Sequence, residues 1–289
     1  MYTSKLSAFA LILSLCALFF SLYRSAPPPQ SITTQTSTHY DRIMKTRTVR
    51  CAYFSWRPFI MKDPNTGTVS GFIPDILAQI GHDLNLKFDY VEDVNIAQMF
   101  EGFSTDRYDA VCGPVTPTVS RTTVSDFIKP VGYASMDPYV RIDDHRFDQG
   151  VAAIDKPEVK ITAIEGEASA SVVALKFPSA KLVTLPNISD NTQLLMELTS
   201  GKADIVIVDT ASAKMFMASH PNKIRKIEGI PPILLSGTLA IPTGEFKLKS
   251  MLDSSVDYLV STGFISAMAR KYGVQGMFYL PSIPHEDVK

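Results

Sequence analysis

The strongest constraint on the fold is an alternation of strand and helix patterns that begins at residue 48. Residues 48–53 read as a strand, apolar residues recur at helical spacing over 73–84, and 87–91 alternates as a second strand. An amphipathic helix pattern over 96–103 and a third strand at 109–112 continue the order. This succession is typical of a parallel sheet covered by helices on both faces.

A second series of the same kind follows, without sequence repetition. Its strands are predicted at 160–164, 181–185 and 203–208. A helix follows each strand, and Ser189 or Asp190 is placed to cap the middle helix. The chain therefore contains two α/β units.

Two extended segments, 132–141 and 230–242, connect these units, so the chain crosses from one to the other and back. We therefore assign residues 47–135 to a first lobe and 136–232 to a second. Residues 233–289 return to the first lobe and add C-terminal helices. Both lobes are long enough to bury a core.

Residues beyond the strand at 109–112 have the composition of an oxyanion site. Gly113 and Pro114 are expected to end the strand, because proline cannot donate to a ladder. Hydroxyl-bearing residues follow from Thr116, and Arg121 closes the run. A guanidinium offers a carboxylate a bidentate fork. The alternative is a turn with a solvated arginine.

Trp56 leaves the first strand at the same edge of the predicted sheet. In parallel sheets, ligands bind beyond the carboxyl ends of the strands. Two separate segments thus converge on one edge, which favours a binding site there. The alternative for Trp56 is simple packing against Pro58.

The N-terminus carries an export feature. Residues 6–23 are apolar and uncharged after Lys5, and no good signal-cleavage site follows. We therefore expect an uncleaved signal anchor over 1–24 in the inner membrane, with a cleaved signal peptide as the alternative. Residues 25–46, which contain three consecutive prolines and a Ser/Thr/Gln run, are predicted to form a flexible tether.

Composition excludes several classes of function. The formal net charge of −1 gives no electrostatic basis for nucleic-acid binding. The three cysteines and five histidines show no metal-ligand spacing, so we expect neither metal nor cofactor. Cys51 and Cys112 lie on predicted neighbouring strands. An exported location permits a disulfide, but adjacent parallel strands favour two buried thiols.

Over residues 48–274 the chain resembles the bacterial extracellular solute-binding proteins of family 3, the polar amino-acid binders of ABC importers. The resemblance rests on the order and spacing of several short segments. They are 56–59, 66–67, 71–75, 108–110, 116–121, 126–127, 201–204 with 209, 261–263 and 271–273. It implies an α/β fold of two lobes joined by two hinge strands, the type II periplasmic-binding-protein fold.

The resemblance also implies roles for residues of the first lobe. Arg121 would pair with a ligand α-carboxylate, assisted by Thr116 and by the backbone at Gly113 and Pro114. Trp56 would stack on the ligand side chain.

On the second lobe, Asp209 would accept the ligand's α-ammonium, and the segment ending at Ser169 would supply donors at a helix N-terminus. The alternative for Asp209 is a helix N-cap, which stabilises by about 1 kcal/mol in its own right.

Several positions depart from the family pattern. Tyr53, included among the candidate ligand-binding residues, stands where many relatives carry an acid, and Ile96 where an aromatic is common. Gly113, Pro114 and Ala168 replace residues that often carry hydroxyls. These departures indicate a ligand other than a basic amino acid, and they leave open that transport binding has been lost.

Three functional hypotheses follow. The first is a monomeric, non-enzymatic periplasmic receptor that delivers an amino acid or small carboxylate to an ABC permease or a membrane sensor. The second is a periplasmic dehydratase of the cyclohexadienyl type, for which Glu165, Glu167 or Asp209 would be the acid. We favour solvated turn positions for Glu165 and Glu167. The third is a structural pair of lobes without a ligand.

Overall fold

The computed structural model of the chain describes residues 38–281. The helices in this range are α1 (His39–Thr46), α2 (Phe72–Leu84), α3 (Glu101–Ser104), α4 (Val151–Ile154), α5 (Ala168–Lys176), α6 (Asn191–Thr199), α7 (Thr210–Ser219), α8 (Phe246–Ser261) and α9 (Phe264–Lys271). None of them combines the length and apolar character needed to cross a bilayer. The signal anchor expected over 1–24 lies outside the described residues.

The strands complete the element order. They are β1 (Thr48–Tyr53), β2 (Met61–Lys62), β3 (Val69–Ser70), β4 (Lys87–Asp93), β5 (Ala110–Val115), β6 (Ser125–Phe127), β7 (Gly132–Arg141), β8 (Lys160–Ile164), β9 (Lys181–Leu185), β10 (Ile205–Asp209), β11 (Ile224–Lys226), β12 (Ile233–Pro242) and β13 (Phe278–Tyr279).

One mixed sheet organises the molecule, with the strand order β4-β1-β5-β12-β7-β10-β8-β9. β1 pairs in parallel with β4 and β5, and β8 pairs in parallel with β9 and β10. The two predicted parallel series are therefore confirmed, one at each end of the sheet.

The hydrophobic core follows the same division. Two clusters draw almost all their buried residues from 43–131 and 239–278, and two draw theirs from 136–230. We refer to residues 38–131 and 239–281 as the first half and to 136–235 as the second half. Each half has its own core.

The strands β7 and β12, which we call the crossing strands, pass from one half to the other. Residues 233–237 of β12 pair with β7, whereas 238–242 pair with β5 and β6. β7 pairs beyond that point with β10 and β11. The prediction of an extended segment over 132–141 is confirmed, and that over 230–242 is confirmed for Ile233–Pro242.

The prediction of a flexible tether over 25–46 is wrong for its last eight residues, which form α1. Ile43 is fully buried in the first-half core. The buried carboxylate of Asp109 binds His39 Nδ1 at 2.9 Å and also pairs with Arg42. An isolated helix this short is marginal in water, so these tertiary contacts, absent from the local sequence pattern, hold it.

The strand β5 continues through Gly113 and Pro114 to Val115, so the predicted strand end after residue 112 is wrong. β12 shifts its register opposite this segment, and a proline is tolerated at such an irregularity. A Cβ on Gly113 would lie 2.9 Å from the ring of Phe54. Glycine is needed here so that this ring can pack against the strand.

The amphipathic helix predicted over 96–103 is wrong for most of its length. Turns occupy 96–100, and only α3 is helical. Tyr108, which is fully buried, accepts the Gly102 N–H at 2.9 Å through its hydroxyl and donates to the Met99 carbonyl. The apolar side chains still pack against the core, but successive turns place them there.

Cys51 on β1 and Cys112 on β5 form a disulfide, so the prediction of two buried thiols is wrong. Cys51 lies opposite Ala110, which staggers the two cysteines by two positions in the register. Their Cα atoms are 5.4 Å apart, within the range that a disulfide spans.

Candidate functional site

A cavity of about 500 Å³ lies at the junction of the two halves. It opens where β5 and β10 end and where the loop after β8 enters α5, so the carboxyl ends of strands from both halves line it. This is the edge at which the sequence places a ligand.

Arg121 is buried in the wall of this cavity, at the start of a 3₁₀ turn, with 9% of its surface exposed. Nη1 donates to the Thr116 carbonyl at 2.9 Å, and Nη2 donates to the Gly166 carbonyl of the second half at 3.0 Å. Three of the five guanidinium N–H groups remain for a ligand. Burial lowers the pKa of Arg121, and the charge of Glu167 opposes that effect.

Within residues 38–281, no carboxylate oxygen lies within 4 Å of the Arg121 guanidinium. A buried cation that contacts only backbone carbonyls is unfavourable unless an anion joins it. The arrangement is therefore suited to a ligand carboxylate.

Asp209, at the end of β10, is both a helix cap and a cavity residue. Its carboxylate accepts the Ser212 N–H at 2.8 Å and the Asn191 amide at 2.9 Å. The Trp56 indole N–H, from the first half, donates to it at 3.2 Å. Burial raises the pKa of Asp209, and the hydrogen bonds from Ser212 and Trp56 oppose the rise.

Glu167 also lines the cavity, so its assignment as a solvated turn residue is wrong, whereas Glu165 is exposed as expected. Glu167 precedes α5 without capping it. Burial and the negative charge of Asp209 raise its pKa to about 7, and the charge of Arg121 opposes both. Glu167 lies just beyond the carboxyl end of β8, at the edge where Asp209 ends β10, and that position is the signal for it in the sequence.

Ser169 lies at the second position of α5 and lines the cavity, with 2% of its surface exposed. Its hydroxyl oxygen has no hydrogen-bond partner in the described part of the chain. The first N–H groups of a helix also lack intrahelical partners and favour anions. The start of α5 therefore offers donors to the same ligand group as Arg121.

Both halves contribute apolar side chains to the cavity, and the aromatic wall beside Arg121 comes from the first half. Trp56 lies against Phe59, with ring centroids 4.6 Å apart, and faces the cavity. Phe54, Ile96 and Met99 extend the wall. A wall of this kind can contact a ligand side chain.

The predicted site residues divide into two groups. The cavity brings together six of them: Trp56, Pro114, Thr116, Arg121, Ser169 and Asp209. Tyr53 and Gly113 are not among the lining residues. Tyr53 is buried edge-on against Tyr90, and Gly113 acts indirectly by accommodating Phe54.

Several lining residues were not predicted from the sequence. They are Phe54, Ser55, Arg57, Met99, Met136, Asn191, Ser212, Met215, Phe216, His220 and Leu235, among others. Six of these belong to helices or to the crossing strands, where the local pattern carries no sign of the cavity.

Away from the cavity, one group of potential metal ligands lies beside α1: His39, Asp106 and Asp109. Arg42 and Arg50 both pair with Asp109. These positive charges oppose a cation at the same carboxylate. The group is better described as an ion-pair cluster that fastens α1.

Comparison with known proteins places this geometry in context. The family model for bacterial extracellular solute-binding proteins, family 3, matches residues 49–275. Cyclohexadienyl dehydratase of Pseudomonas aeruginosa is 22% identical over 182 residues, which cover 63% of this chain and 66% of the dehydratase, just under two thirds of its length. The ABC transporter glutamine-binding protein GlnH of Bacillus subtilis is 24% identical over 224 residues, 75% of this chain and 77% of that protein.

Solved structures share the fold. An ancestral amino-acid-binding protein, a precursor of cyclohexadienyl dehydratase, superposes with a TM-score of 0.67 at 23% identity, covering 80% of this chain and 97% of that one. The arginine-bound substrate-binding protein AbpA of Streptococcus pneumoniae superposes with a TM-score of 0.67 at 19% identity, covering 82% and 99%.

Proposed function

Because this chain belongs to family 3 of the bacterial extracellular solute-binding proteins, we propose that it captures an amino acid or a similar small carboxylate in the cavity between its two halves. The protein acts in the periplasm and hands its ligand to an ABC importer or to a membrane sensor.

The buried guanidinium of Arg121 is the observation that carries this proposal. It lines the cavity, and within residues 38–281 its hydrogen bonds go only to the backbone carbonyls of Thr116 and Gly166, which leaves three N–H groups for a ligand. The unpartnered hydroxyl of Ser169 and the start of α5 stand across from it on the second half. A carboxylate bound there would receive donors from both halves.

The remaining charges suit the other end of an amino acid. Asp209 and Glu167 both line the cavity on the second half and attract an ammonium group. The Trp56 ring bounds the space between the two charged regions. A zwitterion that bridges the halves binds best when they lie together, so it favours that arrangement over a more open one.

Trp56 provides the test, because it is the single tryptophan of the chain and lines the cavity. Amino acids and small carboxylates are titrated into the purified full-length chain while its fluorescence is recorded. We expect a saturable change with at least one of them. A ligand at a hundredfold excess over its Kd should also stabilise the fold by about 2.7 kcal/mol.

Arg121→Met should weaken that binding by about two orders of magnitude, because it removes one partner of a desolvated charge pair. Arg270→Met, at an exposed position of α9, is the matched control and should bind normally. Circular dichroism verifies that both variants are folded. The proposal fails when no compound gives a response or when Arg121→Met binds as tightly as wild type.

Glu167 supports a second candidate, the dehydratase. A carboxyl group with a pKa of about 7 is protonated in part of the population at neutral pH and can act as a general acid. On prephenate it would give its proton to the departing ring hydroxyl, which leaves as water. The bond to the ring carboxylate breaks, carbon dioxide leaves, and the electron pair completes the aromatic ring.

Phenylpyruvate formation from prephenate distinguishes the two candidates. A dehydratase should lose turnover in Glu167→Gln while still binding prephenate, as reported by Trp56 fluorescence. Wild-type protein that binds amino acids but leaves prephenate unchanged is a receptor only.

The disulfide supports export, since such bonds persist in oxidising compartments and Cys51–Cys112 is buried within the first half. The expected signal anchor over residues 1–24 would hold the protein at the inner membrane. Fractionation of cells that express the full-length chain, with and without high-salt washing, tests this part of the proposal.

A further inference from the structure

The charged residues that line the cavity are separated by sign. On the first half they are Arg57 and Arg121. On the second half they are Glu167, Asp190 and Asp209. A ligand that spans the cavity therefore meets positive charge on one side and negative charge on the other.

Arg57 stands beside Trp56, at the exit from β1. Its side chain is exposed, and Nη1 contacts Met61 Sδ at 3.7 Å. Among the described residues, no carboxylate oxygen lies within 4 Å of this guanidinium. Arg57 is thus a second cation at the cavity, and in the described part of the chain its N–H groups bind no carboxylate.

The first-half wall offers no counter-charge to a cationic ligand side chain. Its other members are apolar, hydroxyl-bearing or aromatic, and no acidic residue of the first half lines the cavity. A lysine- or arginine-like group placed there would lie near Arg57 without a counter-charge, which costs electrostatic energy. A carboxylate placed there would find a bidentate partner.

Asp190 and Asp209 limit where a ligand cation can lie. The Asp190 carboxylate is exposed and accepts the Gln193 N–H as the cap of α6. Asp209 keeps a lone pair beyond its three hydrogen-bond donors. The ammonium group therefore belongs at Asp209, and both carboxylates belong toward the arginines.

We propose that the ligand is an α-amino dicarboxylate, with its α-carboxylate at Arg121 and its second carboxylate at Arg57. This inference rests on the proposed binding function and adds the substrate class to it. Its two-carboxylate part also fits a dehydratase, because prephenate carries two carboxylates, but prephenate has a keto group in place of the amine.

The test compares acids with their own amides. L-Glutamate, L-glutamine, L-aspartate and L-asparagine are titrated into the full-length chain at low ionic strength, with Trp56 fluorescence as the readout. Wild type should bind glutamate or aspartate at least about tenfold more tightly than the corresponding amide. In Arg57→Gln that preference should shrink to about threefold or less, with amide affinity unchanged. Arg270→Gln is the matched control and should keep the preference.

Two outcomes overturn the inference while leaving the proposed function intact. In the first, an amide or another neutral amino acid binds wild type as tightly as the acids do. In the second, Arg57→Gln weakens acid and amide binding by the same factor. If no amino acid or small carboxylate changes the fluorescence or the thermal stability of wild type, the proposed function itself fails and this inference fails with it.

Discussion

At the scale of single residues, the surroundings of Glu167 act against its negative charge. Burial and, to a smaller extent, the negative charge of Asp209 raise its pKa from the ordinary 4.5 to about 7, against the opposing charge of Arg121. The folded chain therefore holds this proton up to a higher pH than the unfolded chain does. The stability that this group contributes is complete below about pH 4.5 and is lost as the pH rises toward 7.

Glu167→Gln should remove this pH dependence, because glutamine carries no charge at any pH. We compare the free energies of unfolding of the variant and of wild type at each pH. Between pH 4 and pH 8 this difference should change by about 1–3 kcal/mol in favour of the variant. Urea unfolding at both pH values measures the gain. Glu165→Gln, two positions earlier and exposed, should show almost none. An equal change at both pH values would rule out ionisation as the cause.

The same residues show where sequence reasoning reaches its limit. Arg121 is predicted because it follows a strand at the carboxyl edge of a parallel sheet, whereas the ligand role of Asp209 comes from the resemblance to family 3. Tyr53 also ends a strand, but β1 is buried on both faces there and the sequence cannot tell which face lines a cavity. Glu167 and Glu165 flank one glycine, and only the folded turn decides which carboxylate enters the cavity.

At the scale of elements, two carboxylates hold α1: Glu245 accepts the N–H groups of His39 and Tyr40, and Asp109 binds side chains of the helix. Asp109 is fully buried and binds His39, Arg42 and Arg50. Burial alone would raise the pKa of Asp109, but the hydrogen bonds from His39 and Arg50 and the charge of Arg42 outweigh it and hold the pKa well below its ordinary value. Asp109 therefore stabilises the fold at neutral pH and loses this effect as it is protonated in strong acid.

Asp109→Asn should lower the free energy of unfolding by about 3 kcal/mol at pH 7, because it leaves Arg42 and Arg50 without their shared counter-charge. The difference in the free energy of unfolding between Asp109→Asn and wild type should become smaller as the pH falls below about 4. Urea unfolding measures it. Asp106→Asn is the matched control, since Asp106 also pairs with Arg50 but is largely exposed, and should lose less than about 1 kcal/mol. Equal losses in the two variants would contradict this account.

Elements with a strong local pattern were predicted well, and those held by distant contacts were not. The strands β1, β8 and β9 have the predicted bounds, since each is a short run of apolar and β-branched residues between turns. The region 96–103 has helical spacing but folds into turns around the hydroxyl of Tyr108. Helix α1 has only one buried apolar residue, Ile43, so its pattern was too weak to find.

At the scale of the whole molecule, the C-terminal segment reaches the crossing strands. β13 pairs with β7, and the Phe278 ring packs 5.3 Å from the rings of both Phe59 and Phe72. A side chain on Gly132 would overlap this ring, and one on Gly237 would lie 3.3 Å from it. The two glycines make room for the ring over both crossing strands. The sequence predicts the two crossing strands but not this contact, because Phe278 is distant in sequence from Gly132, Phe59 and Phe72.

Phe278→Ala should therefore destabilise the entire chain, because the ring fills space shared by the first-half core and both crossing strands. We expect a loss of about 3 kcal/mol in the free energy of unfolding, as for other large aromatic residues removed from a core. Tyr279→Ala is the matched control, since Tyr279 is the next residue of the same strand but 40% exposed, and should lose less than about 1 kcal/mol.

Urea unfolding followed by Trp56 fluorescence and by circular dichroism measures both variants. If both probes shift to the same lower midpoint in Phe278→Ala, the ring stabilises both halves. If only one probe shifts, or if Tyr279→Ala is as damaging, the C-terminal segment stabilises one half alone.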